Sequence, residues 1–171
     1  AAGPFTLLGS DPIRATLFPQ PQHTAAENKI VYDVADAVIW GLLREGCWVI
    51  YDANNLSESR RAMVRRLGLN AAARLLTVRT IAPPDVVQAR LAARAMVPCA
   101  PGDSLADWSV YERLRRLEEP VGHNHLVVDT TQDITGAVQE ALRRLQRDES
   151  PPADAGLHPA DRVPGEEPPD R

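Results

Sequence analysis

Short apolar runs alternate along the chain with longer segments whose apolar residues recur at helical spacing. The runs are typical of β-strands, and the last three predict strands buried on both faces. They lie at 5–8, 47–51, 75–78 and 126–129. The segments between and after them predict helices that begin near Asp11, Thr24, Ser57, Pro83, Ser104 and Ile134. The predicted order of elements is therefore β-α-α-β-α-β-α-α-β-α.

Local sequence signals indicate where several of these helices begin and end. Asp11 followed by Pro12 is typical of an N-cap and a first helical position. Thr24 and Glu27 form a capping box before a long helix that is predicted to end at about Arg44, before a glycine. The apolar stripe of that helix is predicted at Val31, Val34, Val38 and Leu42.

Strands joined by helical crossovers predict an α/β fold with three layers, in which helices cover both faces of a parallel sheet. In such sheets, ligands bind beyond the carboxyl ends of the strands. In this chain those ends carry Gly9-Ser10-Asp11, Asp52, Arg79-Thr80 and Asp129-Thr130.

Composition divides the chain into a body and a tail. Residues 148–171 hold seven acids, two arginines and six of the 15 prolines, so we expect a disordered tail. Residues 1–147 have a net charge of +1 and are numerous enough for one domain. No apolar run of 18 residues occurs, so no membrane span is expected. Two scattered cysteines favour a reducing, cytoplasmic setting.

Three polar residues near the predicted sheet edge are candidates for chemistry. Asp52 directly follows an apolar run, which is where phosphate-transferring enzymes carry a carboxylate that holds Mg²⁺. The alternative is an aspartate at the end of a strand that caps the Asn54-Asn55 turn. Asp11 and Arg14, three residues apart, could accept a proton from a hydroxyl and hold a phosphate. The alternative for this pair is an N-cap followed by a solvent-exposed arginine.

Other charged positions have simpler alternatives. Arg90 and Arg94 lie one helical turn apart, which indicates either a shared anion or a solvated helix face. A solvated face is the stronger expectation for Arg60-Arg61 and for Arg65-Arg66. The segment His123-Asn124-His125 has too few further histidines for a metal site and favours a histidine that enters a strand.

Four blocks of the sequence carry a family resemblance. They are Gly9-Ser10-Asp11-Pro12-Ile13-Arg14, then 49–56 (VIYDANNL) with Arg60-Arg61, then Arg90-Leu91-Ala92-Ala93-Arg94, then 107–113 with 125–130. In order and spacing they resemble the motifs S-D-x-I-R, V-I-x-D-A-T-N-L…R-R and R-x-x-x-R of P-loop kinase-like ATPases. That group centres on bacteriophage-type polynucleotide kinase and includes zeta-toxin and gluconate-kinase types as more distant relatives.

The resemblance implies ATP-dependent phosphorylation of a hydroxyl, with ATP and Mg²⁺ as cofactors. It implies Asp11 as the general base, Arg14 as the ligand of an acceptor phosphate, and Asp52 as the carboxylate that orders the acceptor site and the metal. Arg94 would be the catalytic arginine of the lid. The residues implied for nucleotide binding are Arg90, Arg94 and Asn55. The implied acceptor is a hydroxyl-bearing small molecule or the 5′ end of a polynucleotide.

The phosphate-binding segment of that family is missing from these residues. In the family, a strand, a GxxxxGK(S/T) loop and a helix precede the S-D-x-I-R block, whereas ten residues precede Asp11 here. Arginine supplies 18 of the 19 basic residues, and the single lysine, Lys29, lies in another context. We therefore expect no useful ATP turnover from these residues alone.

The absent strand also affects the sheet. The resemblance implies a strand order of 2-3-1-4-5, with the absent strand at the centre. We expect the strands at 48–52 and 75–80 either to pair directly across the gap or to leave a loosened half-sheet, because unpaired strand edges are costly.

Three hypotheses about function remain open. The first is a kinase domain that lacks its N-terminal segment. The second is a non-catalytic derivative that binds a phosphorylated ligand or a partner protein through the surviving acceptor site, in which Arg14 matters and Asp11 does not. The third is another small α/β protein whose four blocks match by accident.

Overall fold

The order of helices and strands agrees with the sequence prediction. The computed structural model describes residues 5–98, 102–104 and 106–146, so the predicted tail at 148–171 lies outside the described residues. The described elements are β1 (Phe5–Gly9), α1 (Ser10–Leu17), α2 (Ala25–Arg44), β2 (Trp48–Asp52), α3 (Glu58–Asn70), β3 (Val78–Ile81), α4 (Pro84–Ala95), α5 (Trp108–Leu117), β4 (Leu126–Asp129) and α6 (Thr135–Gln146).

Two predicted helix caps are confirmed by their hydrogen bonds. The side chain of Thr24 accepts from the backbone N–H of Glu27 at the start of α2, and the side chain of Ser57 accepts from Arg60 at the start of α3. Gly46 ends the α2 region with a positive φ of 73°, which glycine adopts without steric cost.

Three boundary predictions are wrong by two to four residues. Helix α1 begins at Ser10 with Gly9 as its N-cap, so Asp11 lies in the first turn and is not the cap. Helix α5 begins at Trp108 because Asp107, rather than Ser104, accepts the capping hydrogen bond. Strand β3 begins at Val78 and not at residue 75.

The buried stripe of α2 is rotated from the predicted one. Val31, Ala35 and Ile39 are the buried residues of this helix, and they lie four residues apart on one face. Val38, which was predicted on the stripe, is 38% exposed. The small Ala35 allows close packing at the centre of the stripe, and apolar residues on both sides of it made the phase of the pattern ambiguous.

The strands form two separate parallel pairs. β1 pairs with β2 in a register that places Phe5 beside Trp48 and Gly9 beside Asp52. β3 pairs with β4, with Val78 beside Leu126. No described strand joins the two pairs, so the loosened half-sheet is the observed outcome and direct pairing across the gap is not.

One face of the β1–β2 pair is covered and the other is open. α2 packs against β2, and α1 packs against β1. The opposite face carries four apolar side chains, all more than a third exposed, at Phe5, Leu7, Trp48 and Ile50. The prediction that β2 is buried on both faces is therefore wrong for the described residues, since only the α2 side covers it.

Handedness fixes the position of the gap. α3 follows β2 and packs against α2, so both crossovers run over the same face of the sheet. Crossovers between parallel strands of one sheet are right-handed in almost all proteins, which predicts that β3 lies beyond the edge of β2 that faces away from β1. The connection from β3 to β4 also contacts α3, through Glu119, Pro120 and His123.

Arg61 bridges the two halves of the fold. This α3 side chain is 7% exposed, and its Nη1 donates to the backbone carbonyls of Asn55 and Leu56 at 2.9 and 2.8 Å. Its Nη2 donates to the carbonyls of Glu119 and Pro120 at 3.0 and 2.8 Å. The loop after β2 is thereby held to the segment that leads into β4.

Candidate functional site

The carboxyl edge of the β1–β2 pair brings Asp11 and Asp52 to one end of the sheet. Gly9 is the register partner of Asp52, and α1 begins at the residue after Gly9. A Cβ at Gly9 would lie 2.9 Å from Cδ of Pro12, so only glycine fits where the strand turns directly into the helix. The tight turn therefore places Asp11 close to the strand ends.

The carboxylates of Asp11 and Asp52 are available to a ligand. Asp52 is exposed and Asp11 is half-buried. Neither carboxylate has a hydrogen bond or ion pair with the described residues, so the predicted alternative in which Asp52 caps the Asn54-Asn55 turn finds no support in the geometry. Two carboxylates that have no partner among the described residues and lie at the ligand edge of a parallel sheet are suited to binding a proton, a hydroxyl or a cation.

Arg14 is buried, in contrast to the solvent-exposed alternative. Its Nη2 donates to Oδ1 of Asn28 at 2.6 Å, and its Nη1 lies 3.5 Å from Oε2 of Glu27. Nε of Arg14 is buried without a hydrogen-bond partner among the described residues. The guanidinium is thus held by α2 through two of its five N–H donors, and Nε–H is among those that the described residues leave unused.

Glu27 is held in place by the loop before α2. Its carboxylate accepts from the backbone N–H groups of Gln22 and His23 at 3.0 and 2.6 Å. The hydrogen bond from Gln22 is the largest cause that lowers the pKa of Glu27, with burial opposing it. A carboxylate that stays ionised beside Arg14 keeps the guanidinium in a single position.

Asn55 lies just beyond β2 in an unusual conformation. Its φ is 44°, in the left-handed region, and its Nδ2 donates to the carbonyl of Ala53 at 3.4 Å. Its Oδ1 is buried and has no hydrogen-bond partner among the described residues. An unsatisfied buried acceptor in a strained loop is a feature that a bound ligand or water would relieve.

Arg60 is the centre of a buried cluster between α2, β2 and α3. Its two terminal nitrogens form a bidentate ion pair with Asp36, and its guanidinium lies 4.6 Å from the ring centre of Tyr32. It also donates to the hydroxyl of Tyr51, whose pKa is raised by burial. The predicted solvated face is therefore wrong for Arg60-Arg61, because Asp36 and the loop carbonyls receive these side chains.

The structure does not place Arg90 and Arg94 around one shared group. Arg90 donates to the hydroxyl and the carbonyl of Thr130, both at 2.7 Å, which ties α4 to the loop after β4. Arg94 donates to the carbonyl of Ala106. Each guanidinium has a different protein partner, and residues 99–101 of the intervening loop lie outside the described residues.

The two histidines before β4 have structural partners. Nδ1 of His123 accepts from Arg65 at 3.0 Å, since arginine only donates, and Nε2 is then the donor to the Thr77 hydroxyl at 2.9 Å. Burial is the main cause that lowers the pKa of His123. His125 binds the carbonyl of His123. Within the described ranges no group of three or more metal-ligating side chains occurs.

Three contributors to this region were not identified as site residues from the sequence. Glu27 appeared as part of a capping box, and Asn28 and Asp36 carried no signal of their own. Asn28 lies three residues before the buried Val31, so helical spacing alone predicts that it lies on the buried face of α2. Nothing in the sequence indicates that Arg14 of α1 is its partner.

The residues present fit the acceptor half of a phosphate-transfer site and not its triphosphate half. Asp52, Asp11 and Asn55 supply oxygen atoms that could ligate Mg²⁺ or accept hydrogen bonds from its bound waters. A triphosphate needs successive backbone N–H groups and a lysine. The 171 residues contain no GxxxxGK(S/T) loop, and the one lysine, Lys29, pairs with Asp33 at 2.6 Å on an exposed face of α2.

Fold and site together define a P-loop kinase-like α/β protein. Residues 1–120 match a family described as AAA domain, and the chain belongs to this P-loop kinase-like family. A crystal structure of a candidate kinase from Chloroflexus aurantiacus J-10-fl, at 1.70 Å resolution, has the same fold. Its TM-score is 0.62 at 19% sequence identity, and the alignment covers 84% of this chain and 85% of that chain. No protein with a curated description matches the chain.

No helix among the described residues combines the length and the apolar content required to cross a membrane.

Proposed function

We propose that this chain is the acceptor-binding part of an ATP-dependent kinase that phosphorylates a hydroxyl group. The observation that supports this most directly is that Asp11 and Asp52 lie at the ligand edge of a parallel sheet and their carboxylates have no partner in the part of the chain that the structure describes. The family membership supports the same class of reaction.

Each residue of the acceptor site has a distinct role in the proposal. A carboxylate oxygen of Asp11 accepts the proton of the attacking hydroxyl, which makes that oxygen a better nucleophile. Arg14, positioned by Glu27 and Asn28, binds an anionic group of the acceptor through N–H donors that the described residues leave unused. Asp52 and Asn55 bind the water shell of Mg²⁺. When bound, ATP supplies the phosphoryl group.

The nucleotide phosphates require residues outside these 171. Arg90 and Arg94 remain the proposed contacts for the nucleotide on the lid side, but their present partners are carbonyl groups of this chain. No phosphate cradle accompanies them in the sequence. We therefore derive the acceptor chemistry from this chain and no step at the triphosphate.

The test extends the chain at its N-terminus with a strand, a GxxxxGKS loop and a helix. Transfer of labelled γ-phosphate from ATP is measured to a 5′-hydroxyl oligonucleotide and, separately, to a set of small sugars and sugar acids. Asp11→Asn is expected to lower transfer by at least about 10²-fold with ATP affinity unchanged, the usual scale for loss of a general base. Asp33→Asn, an exposed carboxylate on α2, is the matched control and keeps parental transfer.

Parental transfer by Asp11→Asn would show that Asp11 only supports the first turn of α1. Transfer to the oligonucleotide alone would identify a nucleic-acid end as the acceptor, and transfer only to a sugar would identify a metabolite.

One observation favours a second candidate function, which is binding of a phosphorylated ligand or partner without catalysis. Glu27 and Asn28 hold Arg14 in place, and its Nε–H has no partner among the described residues. In this case the chain binds a phosphorylated compound without nucleotide. Arg14→Ala then abolishes binding and Asp11→Ala leaves it unchanged, a pattern opposite to that of the kinase.

A further inference from the structure

The loop between β2 and α3 is bound by two residues that lie outside it. Nη1 of Arg61 donates to the backbone carbonyls of Asn55 and Leu56 at 2.9 and 2.8 Å, and the backbone N–H of Glu119 donates to the same carbonyl of Leu56 at 3.0 Å. The carboxylate of Glu119 also accepts from the N–H of Glu58, the first residue of α3, at 2.6 Å. The loop is therefore clamped both along its backbone and where it enters the helix.

Arg61 acts on the residue of this loop that has a costly backbone conformation. The φ of Asn55 is 44°, in the left-handed region, and such a conformation persists in a residue other than glycine when its surroundings enforce it. The carbonyl of Asn55 is bound by Arg61, which is buried and also binds the carbonyls of Glu119 and Pro120. A guanidinium that is fixed at both of its ends restrains the loop that it contacts.

The side chain of Asn55 is positioned mainly by its own backbone. Asn55 lies three residues after Asp52, the last residue of β2. Its Nδ2 makes a long hydrogen bond of 3.4 Å to the carbonyl of Ala53, and its buried Oδ1 has no partner among the described residues. A change in the φ of Asn55 therefore moves Oδ1 relative to Asp52, because no strong side-chain contact opposes the movement.

We propose that Arg61 and Glu119 are positioning residues of the acceptor site and that they act through Asn55. Arg61 holds the loop by its carbonyls, Glu119 fixes the loop at the start of α3, and together they set the place of Oδ1 of Asn55 relative to Asp52. The consequence for phosphate transfer rests on the proposed function, in which Asp52 and Asn55 bind the water shell of Mg²⁺. The control of the loop conformation does not rest on it.

Glu118 is a matched control for Glu119. The carboxylate of Glu118 accepts from Nε of Arg79 in β3 at 2.7 Å, and it has no hydrogen bond to the β2–α3 loop in the described part of the chain. Glu119 is the neighbour whose carboxylate reaches α3. Replacement of either glutamate by alanine removes one charge and one hydrogen bond from the same segment, so a difference between the two variants is due to the loop.

The first measurement follows the backbone of Asn55 by NMR in the isotope-labelled 171-residue chain. The one-bond coupling between Cα and Hα distinguishes a positive φ from a negative one. Arg61→Lys and Glu119→Ala are expected to shift this coupling toward the value of a negative φ, with the larger shift in Arg61→Lys, which offers three donors instead of five. Glu119→Gln keeps an acceptor oxygen and is expected to restore the parental coupling, and Glu118→Ala is expected to retain it. Glu119 is exposed, so Glu119→Ala decides the result if Arg61→Lys does not fold.

The second measurement uses the N-terminally extended chain of the transfer assay, at saturating ATP and varied free Mg²⁺. Arg61→Lys is expected to raise the Mg²⁺ concentration for half-maximal transfer by at least about tenfold, the usual scale for loss of an outer partner of a metal site. Asn55→Gly removes Oδ1 but allows the left-handed backbone, and it is expected to give a similar increase. In the Asn55→Gly background, Arg61→Lys is expected to add no further increase, because both substitutions remove the same contribution. Glu118→Ala is expected to keep the parental Mg²⁺ dependence.

Several results would overturn the proposal. They are a parental coupling of Asn55 in both Arg61→Lys and Glu119→Ala, equal couplings in Glu119→Ala and Glu118→Ala, or a further increase from Arg61→Lys in the Asn55→Gly background. A shifted coupling with an unchanged Mg²⁺ dependence would limit Arg61 and Glu119 to a structural role. Failure of the proposed function is distinguishable from these results. If the extended parent chain transfers no phosphate, the kinase is wrong, and the coupling of Asn55 in the 171-residue chain alone decides whether Arg61 and Glu119 position this residue.

Discussion

Replacement of Arg61 by alanine is expected to destabilise the chain more than any other single arginine substitution. Arg61 uses all five of its N–H donors: four reach the carbonyls of Asn55, Leu56, Glu119 and Pro120, and Nε reaches Glu58 at 2.9 Å. The side chain is buried, so water does not replace these partners without a change in packing.

The magnitude follows from two opposing contributions. Hydrogen bonds to a charged group contribute about 1.5–3 kcal/mol each, which would give a total well beyond the usual effect of one substitution. The variant recovers about 2 kcal/mol of side-chain entropy. Water also reaches part of the carbonyl cluster once the guanidinium is gone. Removing one member of a buried charged network typically costs about 3–5 kcal/mol, and we expect Arg61→Ala to lower the free energy of unfolding by this amount.

The measurement is urea unfolding followed by circular dichroism, with exchange rates of the β4 amides as a local readout. Arg61→Lys keeps the charge but offers three donors instead of five, so it is expected to recover less than half of the loss. Arg116→Ala, on an exposed position of α5, is the control and is expected to change stability by less than about 0.5 kcal/mol. If Arg61→Ala unfolds at the same urea concentration as Arg116→Ala, Arg61 does not bridge the two halves.

Three further predictions follow from local geometry. Gly9→Ala is expected to lower the free energy of unfolding by about 1–3 kcal/mol, because its Cβ meets the ring of Pro12. Gly41→Ala has open space around it on α2 and is expected to raise the free energy of unfolding by up to about 1 kcal/mol. Equal stabilities of the two variants in urea would contradict this. The pKa of His123 is lowered in the folded chain, so the unfolded chain binds the proton first as the pH drops, and the free energy of unfolding is expected to fall below pH 6.5. If the free energy of unfolding of His123→Gln has the same slope against pH as that of the parent, the prediction is wrong. The raised pKa of Tyr51 means that the fold favours its neutral form, so the free energy of unfolding is expected to fall as the pH rises above 10.0. An ultraviolet titration of the tyrosines is expected to lose its most alkaline component in Tyr51→Phe, and an unchanged titration curve would refute the assignment.

Local signals in the sequence were sufficient to predict the order of helices and strands. The caps at Thr24 and Ser57 act through atoms three residues away, and the apolar runs of β1 and β4 are contiguous, so a window of a few residues contains the physical cause. The start of α1 was mispredicted because Gly9 is both the last residue of β1 and the N-cap of α1, so no loop separates the two elements.

Long-range contacts account for what the sequence did not reveal. Arg60 and Asp36 are 24 positions apart, and Arg61 reaches carbonyls 58 and 59 positions away. Backbone carbonyls carry no residue-specific signal, so a run of arginines bound to them has the same local appearance as a solvated helix face. Arg14 illustrates the same limit, since its burial depends on Asn28 in another helix.

The division of the sheet separates stability from the acceptor site. A two-stranded sheet is marginal by itself, so β3–β4 depends on its links to α3 and α6 more than on its own ladder. The register that places Asp52 beside Gly9 depends instead on β1, β2 and the cover of α1 and α2. Loss of the α3 links should therefore loosen the β3–β4 half and leave the two carboxylates of the acceptor edge in position. If exchange rates in Arg61→Ala rise equally in β1–β2 and β3–β4, the fold is a single cooperative unit.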